Sequence, residues 1–316
     1  MNALQLEALA TAENFDESAY LLCNPDVKAA VAKGELKSGR QHWEIFGRNE
    51  QRKLRSPGPE LVAAKRQKLP RIVPLLRTDL PCVRTVDYHD FLTPELRAQY
   101  DIIDTDAVSG HPYDSNVRDL IARHAHGWVL DCGAGRRPTY YTNVVNFEIV
   151  AYDTTDVRGV GEVLPFQDNA FDAVVSNSVL EHVKDPFQCA HEIARVLKPG
   201  GDLFCSVPFL QPLHGYPHHY YNMTHQGLIN LFSSELEIDR VEVPDWVLPI
   251  FALTWIAQSW AAGLQGGARD EFMQLKISDL LQTGDKYLGR RFVRELSTAK
   301  NLELACGTAL FAHKKG

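Results

Sequence analysis

Residues 128–135 read Trp-Val-Leu-Asp-Cys-Gly-Ala-Gly, and this stretch decides the fold. Trp128, Val129 and Leu130 form a short apolar run that closes on Asp131, with Gly133 and Gly135 directly after it. A buried parallel strand that turns into a ligand-cradling loop has this pattern, because a residue without a Cβ lets a ligand come close to the backbone. A dinucleotide-binding turn would need a third glycine three positions on, where a helix packs beside a pyrophosphate. Position 138 is proline. The loop therefore reads as a site for a ligand with no phosphate at that point, which disfavours a nucleotide-using Rossmann enzyme.

Four segments follow one another at compatible spacing: VLDCGAG (129–135), VVNFEI (144–149), LPFQDNAFDAVVSNSVLEHV (164–183) and EIARVLKPGGDLFCSVP (192–208). Their order resembles the class I S-adenosylmethionine-dependent methyltransferases of the type 11-like set. The resemblance covers roughly residues 125–235 and returns at ELACGTALFAHK (303–314). It implies an α/β fold with a Rossmann-like sheet, S-adenosylmethionine as cofactor, and Asp131, Gly133 and Gly135 on that cofactor.

The resembled family also places an acid at the end of the second strand, where a carboxylate accepts both ribose hydroxyls. Glu148 ends VVNFE and Asp153 ends IVAYD, 17 and 22 residues after Asp131. Spacing leans to Asp153 and strand order to Glu148; Glu148 is favoured. Gly161, Glu162 and Val163 resemble the loop beside the adenine. Phe171–Val175 read as the next buried strand, whose exit at Ser176, Asn177 and Ser178 faces the methyl donor in that family. Glu181 and His182 read as the start of a helix, with His182 in a structural hydrogen bond rather than in catalysis. Leu197–Gly201 read as a helix end and turn.

The acceptor side is expected in VPFLQPLHGYPHHYYNMT (207–224), directly after a core strand, since this fold carries its binding loops at the carboxyl ends of strands. His214, His218 or His219 is the candidate base for an acceptor hydroxyl, and the tyrosines there suit stacking on a sugar-like surface. No metal is expected: no cysteine accompanies these histidines and their spacing matches no helix-borne ligand pair.

Composition bounds the rest. The 316 residues can bury a sizeable core, and 45% apolar with 23% charged residues is ordinary for a globular chain. A formal net charge of -7 argues against a nucleic-acid partner. Residues 1–80 carry 13 Lys/Arg against 10 Asp/Glu, an excess read as a solvated face. The six cysteines are scattered without a C-x-x-C pair, and no basic start precedes an apolar core, so the expected location is the cytoplasm. The apolar run Trp246–Leu264 is interrupted by Pro249, Gln258 and Ser259 and reads as a buried or lid helix, with membrane-surface contact as the other reading and no transmembrane span.

Three regions result. Residues 1–55 read as a small helical module whose YLLCNPDV and HWEIFGR halves resemble a repeat-like unit of bacterial surface-polysaccharide enzymes and some secreted proteins. Residues 56–89 read as a proline-rich basic linker, kept extended by Pro57, Pro59, Pro70, Pro74 and Pro81. Residues 90–316 read as the methyltransferase domain, with a helical insertion at 239–300 and a last strand at 301–316. The expected function is methyl transfer to an acceptor hydroxyl, of a cell-surface glycan or its precursor on the N-terminal resemblance. The alternative is a non-catalytic cofactor-binding scaffold acting through its N-terminal module, and a homodimer stays open.

Overall fold

A computed structural model describes residues 3–103, 105, 110–215, 218–312 and 314. Its strands are β1 (Ala3–Gln5), β2 (Glu7–Leu9), β3 (Lys53–Arg55), β4 (Val83–Arg84), β5 (His89–Asp90), β6 (Val129–Cys132), β7 (Thr139–Tyr141), β8 (Val144–Glu148), β9 (Val157–Arg158), β10 (Phe171–Asn177) and β11 (Leu197–Ser206). Seven of them form one sheet in the order β11-β10-β6-β8-β9-β5-β4, parallel throughout except for β4 against β5. All four residues of β6 are buried, as a central parallel strand covered on both faces requires. The chain leaves β6 towards β8 and later returns to β10 on its other side. Strand direction of travel therefore reverses between β6 and β10, and ligands bind at such a switch point, beyond the carboxyl ends of the strands. This is the expected Rossmann-like α/β sheet.

Helices cover the sheet for readable reasons. Helix Ser115–Arg123 starts at Asp114, whose carboxylate accepts the Val117 amide at 2.9 Å, and it turns Val117, Leu120 and Ile121 inward at i, i+3 and i+4. Helix Pro186–Val196 opens on Asp185, which caps the Gln188 amide at 3.0 Å, with proline in the first turn.

The crossover between β6 and β8 differs from the expectation of its fold. Residues 133–143 are too few for a packed helix, and they form the glycine loop and β7 instead. The face left open is closed from the N-terminal third. The segment read as an extended linker is largely the helix Pro59–Ile72. Pro59 sits in its first turn, where the missing N–H is one the helix could not use anyway. Leu69, Ile72 and Leu76 enter the main core beside Leu130, Val145 and Phe147.

The same helix overturns the reading of its charges as a solvated face. Lys68 is 1% exposed and pairs with the fully buried Asp156 at 2.6 Å, while its ammonium also donates to the Tyr141 and Val144 carbonyls. Asp156 further accepts the Tyr140 hydroxyl at 2.6 Å and the Asn146 amide at 2.9 Å. Lys65 donates to the Asp153 and Thr155 carbonyls at 2.8 Å each. These lysines supply donors to carbonyls that a missing crossover helix would otherwise strand without partners.

Residues 1–55 are likewise not purely helical, nor a separate body. β1 pairs antiparallel with β7, β2 with β3, and Leu6 packs with Leu61 and Tyr140. Tyr20, Val27 and Trp43 do form a small core of their own, as the apolar faces suggested. At the C-terminal end the expected last strand is corrected, and of the two readings of the apolar run the buried one falls away. Residues 301–304 end the helix Thr298–Leu304 and residues 305–312 form neither helix nor strand, with Leu310 and Phe311 exposed, so no last strand joins β11 among the described residues. Helix Pro249–Ala262 buries no residue fully, and Ile250, Phe251 and Leu253 are more than half exposed. Among the described residues no helix is long and apolar enough to cross a membrane.

Candidate active site

The glycine loop leaves β6 with Gly133 at φ 82° and Gly135 at φ 61°, in the left-handed region that favours glycine. The Gly133 and Ala134 amides both donate to the Phe147 carbonyl, at 2.9 and 3.0 Å. A Cβ on Gly133 would lie 2.4 Å from Cγ2 of Val179. Gly133→Ala is expected to cost about 1–2 kcal/mol from the left-handed backbone alone, plus the clash. A chemical melt should show the loss, and Val179→Ala in the same chain should restore part of it.

Asp131 does not wait for a ligand. It is fully buried, and Arg137 grips it with Nε at 2.7 Å and Nη2 at 3.1 Å while the Tyr113 hydroxyl donates to Oδ2. Burial works against the Arg137 charge, but Asp131 overrides it and holds the guanidinium pKa above its ordinary value. Burial, and then Asp131, drives the Tyr113 pKa well up. Asp131 thus braces the loop by drawing Arg137 back across it, while its Oδ1, which accepts only Arg137 Nη2, keeps a lone pair for the expected cofactor contact.

The two candidate ribose acids part company. Glu148 is the last residue of β8; its Oε2 accepts the Gly135 amide at 2.7 Å and its Oε1 the Ile149 amide at 2.8 Å. Each oxygen keeps a lone pair, so the carboxylate can accept a vicinal diol beside the glycine loop, and this donor set fits the ribose of the expected cofactor. Burial raises the Glu148 pKa. Asp153 lies in the turn beyond and gives both oxygens to Arg55, at 2.9 and 2.6 Å. Arg55 is itself fully buried and also pairs with Glu7 and the Arg137 carbonyl. Asp153 is therefore a strap to the N-terminal region.

Glu162 and Val163 are also engaged. Glu162 Oε1 accepts the Lys184 and Asp185 amides at 3.0 and 3.3 Å, and burial raises its pKa. The Val163 amide donates to the Val160 carbonyl at 3.2 Å, which removes it as a reader of the adenine edge. Asn177 ends β10 and accepts the Ser206 hydroxyl at 2.5 Å, bridging the ends of the two strands. Ser178 follows at φ 56°, a strained turn that sets Val179 against Gly133.

That turn carries what the sequence reading missed. Glu181 and His182 do not start a helix; they sit in the turn before Pro186. Glu181 is fully buried, and neither carboxylate oxygen has a hydrogen-bond partner among the described residues. Burial pushes its pKa up to about 8. Its Oε1 lies 3.7 Å from Nε2 of His182. The rings of His182, His214 and His219 gather here, with centroids 5.3, 5.6 and 4.3 Å apart, and Trp255 of the Pro249–Ala262 helix stands 5.1 Å from His214. Gly215, at φ 89°, admits His182 against the loop: a Cβ there would lie 2.2 Å from Cε1.

Hydrogen bonding assigns each ring its tautomer, because a carbonyl can only accept. Nδ1 of His182 meets the His218 carbonyl at 2.8 Å, and Nδ1 of His214 meets the Pro212 carbonyl at 2.8 Å. Both must donate there when neutral, which leaves each Nε2 with a lone pair. His219 is the reverse: Nδ1 accepts the His214 amide at 3.0 Å, and Nε2 donates to Asn222 Oδ1 at 3.0 Å. It has no atom left for a base. His218 turns away, with Nε2 on the Asp101 carbonyl at 3.0 Å. Burial lowers the pKa of His182 and of His219, and the neighbouring imidazoles lower both further. Of the three expected bases, His214 alone has its lone pair at the cluster; Tyr216 lies outside the described residues.

Part of the chain is similar to known proteins. Residues 130–205 match the family model described as a methyltransferase domain. An uncharacterized methyltransferase of Mycobacterium leprae is 43% identical over 70 residues, 22% of this chain and 25% of the relative. A demethylmenaquinone methyltransferase of Renibacterium salmoninarum is 34% identical over 96 residues, 30% of this chain and 35% of the relative. A solved Haemonchus contortus phosphoethanolamine N-methyltransferase, bound to S-adenosylhomocysteine, aligns at 16% identity and a TM-score of 0.32, over 60% of this chain and 48% of that one. The chain spans about a quarter to a third of the length of these curated relatives. Within those bounds, residues 130–205 match a methyltransferase domain, and S-adenosylmethionine is the cofactor that the glycine loop and Glu148 fit.

Proposed function

We propose that the whole chain transfers a methyl group from S-adenosylmethionine to an acceptor hydroxyl. One observation carries the reading: a group of unshared lone pairs, on the buried Glu181 and the half-buried His182 and His214, stands in the loops that continue β10 and β11, next to the glycine loop through Val179. S-adenosylmethionine supplies a methyl already activated on a sulfonium. The acceptor oxygen forms the new C–O bond as the C–S bond breaks towards sulfur, and the hydroxyl proton leaves at the cluster around His214. The chain then has to align the reactants and exclude water. Glu148 and the Gly133–Gly135 turn hold the nucleoside end, and Trp255 closes over His214 from the helical insertion.

The partly exposed Tyr220 and Tyr221 beside this loop favour a sugar-bearing acceptor, a cell-surface glycan or its precursor, through stacking on the ring faces. Radiolabelled S-adenosylmethionine incubated with fractionated glycan extract should label an alkali-stable ether. His214→Ala is expected to reduce that labelling by ~10²–10⁴-fold while leaving affinity for S-adenosylhomocysteine unchanged. Calorimetry that detects no heat with S-adenosylhomocysteine on folded protein would overturn the proposal.

A further inference from the structure

We infer that Glu181, His182 and His214 form a binding site for one divalent transition-metal ion of the zinc class, open to an oxygen of the acceptor. This deepens the proposed methyl transfer and rests on it for the role of the ion, though not for its binding. One ligand atom from each of the three residues lies within 4.8 Å of the other two. The Glu181–His182 separation of 3.7 Å is already close to the ~3.4 Å between ligand atoms around a tetrahedral zinc.

Three further observations point to a cation. First, both imidazoles donate Nδ1–H to backbone carbonyls, of His218 and Pro212, which is the outer support that metal-bound histidines commonly have and which leaves Nε2 free. Secondly, the buried Glu181 carboxylate offers two oxygens with no donor near them among the described residues. A buried carboxylate without a hydrogen-bond partner needs positive charge or a proton beside it. Thirdly, His219 is tied at both nitrogens and Gly215 is the one residue type that lets His182 sit where it does, so the geometry of the two ligands is held from outside. Two imidazoles and a carboxylate suit zinc, iron(II) or manganese(II) better than calcium or magnesium, and three protein ligands leave a coordination position open.

The sequence argued against a metal because its ligands were sought within one loop. They come from two, the turn after β10 and the loop after β11. An ion held there would make an acceptor hydroxyl bound to it lose its proton more readily, to water at the same cluster, and His214 would act in that proton loss as a ligand. The competing occupant is a proton shared between Glu181 and His182.

The test uses the full chain without a histidine tag, stripped by chelator and titrated with Co²⁺, whose visible bands report coordination, alongside elemental analysis after Zn²⁺ reconstitution. One equivalent per chain is expected. Glu181→Gln and His214→Ala should each bind about a hundredfold more weakly or worse, whereas His191→Ala, at an exposed histidine paired with Glu235, should bind as the parent does. Affinity for S-adenosylhomocysteine, measured on the same samples, should hold in all of them, which shows that the variants are folded and keeps failure of the metal site separate from failure of the methyltransferase reading. Binding of less than a tenth of an equivalent, or binding that Glu181→Gln leaves intact, overturns the inference. So does a Glu181→Gln chain that melts higher than the parent irrespective of added metal, since the occupant is then the proton.

Discussion

Lys68→Ala should lower the unfolding free energy by about 3–5 kcal/mol, the range for breaking a buried ion pair from one side. Lys68 is out of water, and its loss strands the Asp156 carboxylate and the Val144 carbonyl together. Burial lowers the Lys68 pKa, and the paired Asp156 works against that shift. Urea unfolding gives the number, with Lys28→Ala, on an exposed position, as the comparison that should change stability by no more than ~0.5 kcal/mol. A loss below 1 kcal/mol would mean that the helix Pro59–Ile72 does not hold the sheet as described.

Glu148→Ala should give the largest loss of cofactor affinity. Two charge-assisted hydrogen bonds to the ribose, each worth ~1.5–3 kcal/mol, correspond to about a hundredfold or more in Kd. Asp153→Ala should behave oppositely: affinity for S-adenosylhomocysteine within about threefold of the parent, and stability reduced because the buried Arg55 loses its bidentate partner. Calorimetric titration of the two variants decides between the acids that spacing alone left ambiguous. If Asp153→Ala weakens binding and Glu148→Ala does not, the assignment is reversed.

The sheet and its switch point were legible because the signal is local: an apolar run, an acid and two glycines fall within one short stretch, and β10 follows with its own buried run. Asp131 was legible as important but not in its role. Its type and place suit a ligand contact, and only the approach of Arg137 and Tyr113, one after the loop and one before the strand, shows that it also braces the loop. The basic segment misled for a related reason. Proline and lysine in one stretch favour an exposed chain on average, yet Pro59 falls in the first turn, the helix runs on through Pro70 near its end, and Lys65 and Lys68 reach acceptors more than seventy residues away. Glu181 was overlooked because a Glu-His pair after a strand resembles the first turn of a helix. Its consequence emerges only when residues 207–224 fold back across it.

The helix that lies where a crossover would normally run comes from the part of the chain made first. While a ribosome is still translating the glycine loop, Leu61, Leu69 and Ile72 have no surface to land on, and the two lysines have no carbonyls to serve. Productive collapse must wait for β8 and Asp156, and the intervening chain has to close as one long circuit. Such distant closure slows folding and exposes apolar segments meanwhile. Chaperone dependence during synthesis, and insolubility of fragments cut to the matched domain alone, are the cellular marks to look for.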